Sequence, residues 1–513
     1  MAWRIVLAIA MPAVSRDGAL FCWYARDLGQ HGVSVLRGHE YDQHPLFPLC
    51  VLACERLLAM LGIAEGPLRW QFAGQAVSLF GGGAVVALVG LLTLRQAQSA
   101  GQRADARRAA LLAMAIAAVL PLNTWLSADV MSDQPFAALY VGALCALGGS
   151  LSLTGAFAAG LLAGLAYLTR PEGAVLFAAG VAAICTAPWL SPARKAAAIV
   201  SLCAAIGLAC GPYFLTIGGL SQKADKEPIQ KFVAPASAAD SRATEVDGFA
   251  YAALSRHETR WYQAIGISAY ETLRAGRVVV PLAALPTLLL LGRRLTRHPA
   301  IPATICAAAQ FMLMSLLQWR HGYLDPRHAL PVVILLIPAA AAMLDALLSR
   351  WPASNSAAGG EPSGISHLLA APLAIIAVIA PLALYSLRIP NGADGWVRET
   401  STWLVAHDPQ VSQKLLLGGA SERRVAFYTG ARWQPWPENE PDVERRYGAL
   451  RDHVLLHRPA YVLMRTDAER RDGAELIRRL SEEPELRQSW GSEHEVVDNR
   501  GGHVSIIALD WRR

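Results

Sequence analysis

Apolar stretches recur along the first three quarters of the chain, and nothing else in the sequence constrains its fold as strongly. A helix needs about 20 mostly apolar residues to cross the hydrocarbon core of a bilayer. Runs approaching that length lie near residues 1–14, 70–94, 109–123, 134–151, 153–168, 173–190, 196–217, 277–292, 299–317, 328–348 and 368–388. About eleven such runs make this a polytopic α-helical membrane protein. Composition agrees. Only 17% of the 513 residues are charged, against about 25% in soluble domains. The first run is short for a span and no small-residue cleavage site follows it. It reads as a first span continued into the next helix, or as one whose start lies upstream.

The stretch HPLFPLCVLACERLLAMLG (44–62) is ambiguous. As a span it would bring Glu55 and Arg56 near mid-bilayer, at a cost of roughly 2.5–3.5 kcal/mol each. As a helix lying in the interface it leaves both heads in water. Cytoplasmic loops of membrane proteins are enriched in Lys and Arg. If 1–14 runs outward and 44–62 does not cross, the basic loops 95–108, 191–195 and 293–298 all fall inside, together with a Ser/Gly/Pro-rich flexible linker at 349–367. If 44–62 crossed, the first two would move outside. The rule therefore favours the interfacial reading. The outer side then holds a first loop at 15–69, the segments 124–133, 169–172, 218–276 and 318–327, and a tail at 389–513.

The net charge of +6 suits basic inner loops and does not argue for nucleic acid. Eight cysteines contain no CxxC pair, and most lie in apolar runs, so they read as small buried hydrophobes. The tail alternates strand-like runs (KLLLGG 414–419, VAFYTG 425–430, YVLMR 461–465, VSIIALD 504–510) with helical stretches at 441–457 and 472–482. That pattern predicts a small soluble α/β domain, residues 389–513, after a membrane region of residues 1–388.

Ionisable residues gather at the outer ends of spans. The groups are Arg16-Asp17 with Asp42 and His44; Asp129 and Asp133 in LSADVMSDQPF; Arg170 and Glu172 in LTRPEG; and Arg320, His321, Tyr323, Asp325, Arg327 and His328 in QWRHGYLDPRHALP. An arginine offers a planar fork that suits a phosphate. An aspartate beside it can accept a proton from an attacking hydroxyl, an effect worth 10²–10⁴-fold in rate. A lipid phosphate lies at this same depth, so the pattern suits chemistry on a lipid-linked phosphate.

A short first span, then R-D-G before an amphipathic helix, then DQHPLFP opening a second interfacial helix, resembles the first outer loop of GT-C class membrane glycosyltransferases. The likeness is to glycosyltransferase family 39-like proteins, relatives of the protein O-mannosyltransferases and of the aminoarabinose transferase acting on lipid A. GLAYLTRPEG (164–173), GYLDPRHALP (322–331) and VAFYTG in the tail extend it. The resemblance implies transfer of a sugar from a polyprenyl phosphate to a glycan, lipid or protein acceptor on the outer side of a plasma membrane of bacterial type. It makes Asp17 the candidate base, with Asp133 or Asp129 as a second acidic residue. Arg16, His44, Arg170, Glu172, Tyr323 and Arg327 become candidate substrate contacts, and a divalent metal a candidate cofactor. Many relatives carry a second acidic residue in this first loop. Here Gly18 follows Asp17, which weakens the case for a carboxylate pair, and so for a metal, at that spot.

Plainer readings stand beside these. Asp17 could cap the helix that follows, whose Leu20, Phe21, Trp23, Tyr24 and Leu28 make an interfacial anchor. Asp129 and Asp133 could be solvated loop charges, and Asp133 a cap. Arg170–Glu172 could be a local ion pair of little energetic weight. His44, His321 and His328 show no recognised metal spacing and suit hydrogen bonding better. The competing functions are a transporter or lipid flippase, which would keep polar groups near mid-membrane, and a non-catalytic envelope protein.

Overall fold

The apolar runs all become helices in the computed structural model, which describes residues 1–37, 41–99, 106–148, 151–221, 260–290, 300–322, 324–350, 366–387, 395–419, 421–436, 442–465, 473–497 and 503–511. In chain order they are α1 (Ala2–Ala10), α2 (Arg16–His31), α3 (Leu46–Met60), α4 (Pro67–Ser99), α5 (Ala106–Val119), α6 (Pro121–Ala128), α7 (Asp133–Leu147), α8 (Leu153–Thr169), α9 (Ala174–Thr186), α10 (Pro192–Ile217), α11 (Trp261–Ala275), α12 (Val279–Leu290), α13 (Ala300–His321), α14 (Leu330–Arg350) and α15 (Ser366–Ser386). The linker residues 351–365 and loop residues 222–259 lie outside the described residues.

Among the described residues, four helices are long and apolar enough to cross a membrane: α4, α10, residues Ala300–Arg320 of α13, and Pro326–Ser349, which is most of α14 with its leading turn. Two bent pairs raise the number to six if each is one span, α5 with α6 at 56° and α11 with α12 at 112°. The first bend falls at Pro121, which cannot continue the ladder of α5 and holds Leu120 extended. Of the other predicted spans, α1, α7, α8 and α9 are shorter helices of 9, 15, 17 and 13 residues. The nine residues of α1 reach about 14 Å at 1.5 Å each.

The helices pack without room for side chains where glycine allows it. A Cβ on Gly160 of α8 would lie 2.4 Å from the Leu202 carbonyl oxygen of α10, and one on Gly164 would lie 2.7 Å from Ala209 Cβ. This four-residue spacing of small residues lets the two helix backbones touch. A larger core joins α4, α5, α7 and α14 through Val85, Val89, Ile116, Tyr140, Leu144, Val333 and Ile337. One expectation for α3 needs correcting. Arg56 is exposed, but Glu55 is buried and ion-paired to Arg69 Nη2 of α4 at 2.6 Å. The carboxylate head is matched by a guanidinium instead of being left in water.

The tail opens with α16 (Gly395–His407) and continues β1 (Leu415–Gly418), α17 (Arg423–Thr429), β2 (Arg432–Pro435), α18 (Val443–His457), β3 (Tyr461–Arg465), α19 (Gly473–Glu482), β4 (Trp490–Val497) and β5 (His503–Leu509). The sheet order is β2-β1-β3-β5-β4, with β1 parallel to β2 and β3, and β5 antiparallel to β3 and β4. Strand side chains alternate between two covered faces. Leu416, Leu463 and Ile506 share one apolar cluster, while Leu417, Val462 and Ile507 join Leu450, Leu476 and Leu480 of α18 and α19 in another. Burial on both faces explains why these strands read as continuous apolar runs.

The sequence reading of VAFYTG as a strand is wrong: these residues form α17 with the first residue of the turn after it. Parallel neighbours β1 and β2 need a crossover between them, and α17 supplies it. Its residues Arg424–Thr429 are all buried, which is why they read as a buried strand.

The first of those two clusters does not stop at the tail. It runs on through Ala13, Val14, Phe21 and Cys22, and into Phe47, Ala73 and Val77 of α3 and α4. The tail therefore packs on the segment that carries Asp17.

Candidate active site

The start of α2 is built by Ser15. Its hydroxyl accepts the Gly18 N–H at 3.1 Å, and its own N–H donates to Asp129 Oδ1 at 3.1 Å. Ser15 is thus the cap, and the capping role considered for Asp17 is not needed. Asp17 sits in the first turn, where the helix dipole favours a carboxylate. Its side chain is free to meet Arg327, whose Nη1 lies 2.5 Å from Asp17 Oδ2. Arg16 Nε lies 3.8 Å from the other oxygen. Burial pushes the Asp17 carboxyl up. Arg327, Arg16 and Arg423 together outweigh it and hold the group below the ordinary carboxylate range.

Arg170 and Arg327 reach the site by one device used twice. Helix α8 stops at Thr169, Arg170 is extended ahead of Pro171, and a tight turn Pro171–Gly173 leads into α9. A Cβ on Gly173 would lie 2.4 Å from Tyr167 N, so this turn closes only on glycine. Before α14, Asp325 is extended ahead of Pro326, and a second turn runs Pro326–Ala329. Asp325 Oδ1 accepts the Arg327 N–H at 2.9 Å, which fixes the turn. A residue before proline avoids the helical region, so each x-Pro step breaks the helix, and an arginine is left at the break.

The two arginines anchor one chain of ion pairs. Arg170 pairs with Asp133 at the start of α7, and with Glu172 at 3.0 Å. Arg327 pairs with Asp17 and also lies in the field of Asp133. Asp133, Arg170, Glu172, Gln310, Arg327 and His328 line one small cleft. Asp133 Oδ2, Arg327 Nε and Gln310 Oε1 are buried there with no hydrogen-bond partner among the described residues. Buried polar atoms are normally paired, and these three leave hydrogen-bonding capacity around one cleft that a polar ligand could take up.

The structure thus brings Arg16, Asp17, Asp133, Arg170, Glu172 and Arg327 together. It places two other candidates differently. Asp129 is buried, and its Oδ1 accepts the N–H groups of Ser15 and Val130 at 3.1 and 2.7 Å. It holds the backbone that presents Asp17. His44 is buried against Tyr167 and Tyr213, with Nδ1 donating to the Tyr167 carbonyl at 2.5 Å. That carbonyl lies in the last turn of α8, three residues before Arg170. Tyr323 and the side chain of His321 lie outside the described residues.

Sequence reasoning missed Gln310 and Arg423. A lone amide inside an apolar run was the available signal for Gln310. Arg423 has none, because its proximity depends on how the tail docks. It stands on α17 over the Trp433 ring at 4.5 Å, and Trp433 stacks on Trp23 of α2. A divalent metal does not fit this donor set. Asp17, Asp133 and Glu172 each face a guanidinium, and among the described residues no three His, Cys, Asp or Glu side chains form a group that could hold an ion.

No protein-family model matches the chain, and no curated protein matches it in sequence. Its fold does match solved structures. ArnT from Cupriavidus metallidurans, in the apo state and bound to undecaprenyl phosphate, superposes with a TM-score of 0.60 in each case, at 15% sequence identity. Each match covers 98% of this chain and 96% of ArnT. The likeness to GT-C membrane proteins, which the sequence carries in scattered motifs, holds for the fold along nearly the whole chain.

Proposed function

We propose that this protein is a membrane glycosyltransferase. It moves a sugar from a polyprenyl phosphate to an acceptor hydroxyl on the outer face of a bacterial-type plasma membrane. The observation that carries the reading is the convergence of Asp133, Arg170, Glu172 and Arg327 on one cleft with unpartnered polar atoms, with Asp17, from a fourth distant segment, joined to it through its ion pair with Arg327. The fold likeness to a protein solved with undecaprenyl phosphate supports the donor class. An apolar cavity of about 200 Å³ adds to it. Ala163, Tyr167, Phe177, Ile206 and Phe214 line it, and it reaches Gly173 beside the ion pairs. A prenyl chain lying there would have its phosphate near Arg170.

In this reading the donor phosphate enters the cleft and draws the guanidinium groups of Arg327 and Arg170 to itself. Asp17, relieved of Arg327, accepts the proton of the acceptor hydroxyl. The hydroxyl oxygen attacks the anomeric carbon opposite the phosphate. The bond from that carbon to the phosphate oxygen breaks, and the sugar inverts. The charge left on the lipid phosphate is held by the two arginines. Residues 15–69 form the outer loop that carries the base, about eleven spans cross the membrane, and residues 389–513 form the outer domain. The sugar and the acceptor, whether glycan, lipid or protein, are set by contacts outside the ion-pair chain.

The test is a transfer assay in native membranes with a panel of labelled polyprenyl-phosphate sugars, comparing the wild type with Asp17→Asn at equal abundance. The expected result is that one donor is consumed by the wild type and at least about 100-fold more slowly by the variant. Equal consumption by both would keep the enzyme class and remove Asp17 as base. If no donor is consumed, the transferase reading falls and transport assays take its place.

A further inference from the structure

The connector Met11–Ser15 joins α1 to α2 and sets where Asp17 points. Its Ala13 and Val14 are fully buried. Three backbone groups in it are held by side chains from elsewhere. The Ser15 N–H donates to Asp129 Oδ1 at 3.1 Å. The Pro12 carbonyl accepts Arg398 Nε at 2.6 Å, and the Val14 N–H donates to the Tyr428 hydroxyl oxygen at 2.9 Å. Two of these three partners stand in the tail, on α16 and α17, 386 and 414 residues away in sequence.

The tail partners are themselves fixed. The Tyr428 hydroxyl donates its own proton to Gln71 Oε1 of α4 at 2.8 Å, so both its donor and its acceptor sides are used. The Arg398 guanidinium lies over the Tyr428 ring at 4.5 Å. Around them Phe427 and Trp433 pack on Trp23 of α2. A buried hydroxyl with both sides engaged between α4, α17 and the connector has one position open to it.

We propose that the tail is a positioning element of the active site, and that Tyr428, with Arg398 beside it, is the positioning residue that sets the connector and thereby aims Asp17. The inference rests on the transferase reading with Asp17 as base, and it deepens it. The tail does more than offer a surface to the acceptor: it completes the scaffold of the base. A misplacement of about 1 Å at a reacting group costs on the order of 10²-fold in rate, while donor binding draws on Arg170 and Arg327, which the connector does not touch.

The test is Tyr428→Phe, which keeps the ring and removes both hydrogen bonds. The matched control is Tyr461→Phe. Tyr461 is also a buried tail tyrosine of the same apolar cluster, but its hydroxyl donates to Asp408 Oδ2 at 2.8 Å, within the tail, and not to the connector. Turnover is measured with the donor found in the panel above, and affinity with undecaprenyl phosphate itself. Tyr428→Phe is expected to lower kcat about tenfold or more, with affinity within about twofold, while Tyr461→Phe keeps both. Should Tyr428→Phe fail to fold, Arg398→Met is measured in its place, with Arg398→Lys as the rescue that still donates to Pro12. Wild-type kcat in a folded Tyr428→Phe or Arg398→Met, or equal losses in Tyr428→Phe and Tyr461→Phe, overturns the proposal and leaves the transferase reading intact. Wild-type turnover by Asp17→Asn, or no turnover of any donor by the wild type, removes the reading beneath it instead.

Discussion

Two of the arginine–carboxylate groups in this helical bundle differ in what they leave unmet. Arg108 of α5 pairs with Asp345 of α14 and also donates to Ser349 one turn on. Ser349 in turn donates to the Asp345 carbonyl at 2.8 Å. That group closes on itself and acts as a staple between two helices. At the cleft the same chemistry is left open. Arg170 and Arg327 pair with Asp133, Glu172 and Asp17, yet Asp133 Oδ2 and Arg327 Nε stay buried with no partner among the described residues. An unmet buried polar atom costs roughly 1–3 kcal/mol. At the cleft, a bound polar ligand would remove that cost. Ion pairing alone therefore does not mark a site, and it is the unsatisfied atoms around the cleft that support the proposed one.

The comparison can be broken most directly at Asp17. Asp17→Asn keeps the shape and removes the base, and turnover of a polyprenyl-phosphate sugar is expected to fall 10²–10⁴-fold. A smaller but clear separation is expected from substitutions that keep the charge. Arg170→Lys and Arg327→Lys lose the planar fork, and each is expected to lower turnover about 10²-fold. Similar losses from Arg108→Lys would show that the open and closed pairs do not differ.

pH sharpens the contrast next. Asp17 titrates below its ordinary value of about 3.9. In the folded protein it therefore stays ionised to lower pH than in the unfolded chain. Its pairing contributes stability that is fully present above the unfolded value and is lost as pH falls through the folded one. The acid limb of kcat/KM, which reports the free enzyme, is expected below the ordinary aspartate value. In Arg327→Met it should move up toward that value, and a limb that stays in place would mean that Arg327 does not set the Asp17 charge. The smallest effect is reserved for the staple itself. Arg108→Lys is expected to change turnover less than about twofold and stability by no more than about 1 kcal/mol, read from turnover and the thermal midpoint of the detergent-extracted protein.

Much of this was legible because it is local. Apolar runs gave the helices, and short strand-like apolar runs gave β1, β3 and β5. The charged groups LTRPEG and QWRHGYLDPRHALP at outer span ends gave Arg170 and Arg327, and the structure shows that x-Pro steps form the two turns that carry them. The failures have physical causes too. VAFYTG is apolar enough for a buried strand, and only its place between two parallel strands makes it a helix. Strands β2 and β4 were not foreseen, because their exposed, polar residues show no clear periodicity. Asp129 and Asp133, spaced like residues on one helix face, are separated by the break between α6 and α7. Asp129 turns to hold Ser15, and Asp133 turns to meet Arg170.

The sequence by itself determined a helical membrane region with its charged residues at helix ends, because chain length, polarity and proline act within a few residues of where they stand. Only the tertiary structure decided that Asp17 meets Arg327, 310 residues away, that Asp133 takes Arg170, and that a tyrosine from the tail holds the turn before Asp17. Those choices depend on which helices pack together and where the tail docks. A guanidinium is equally suited to any carboxylate it can reach, so packing, and not residue type, selects the partner.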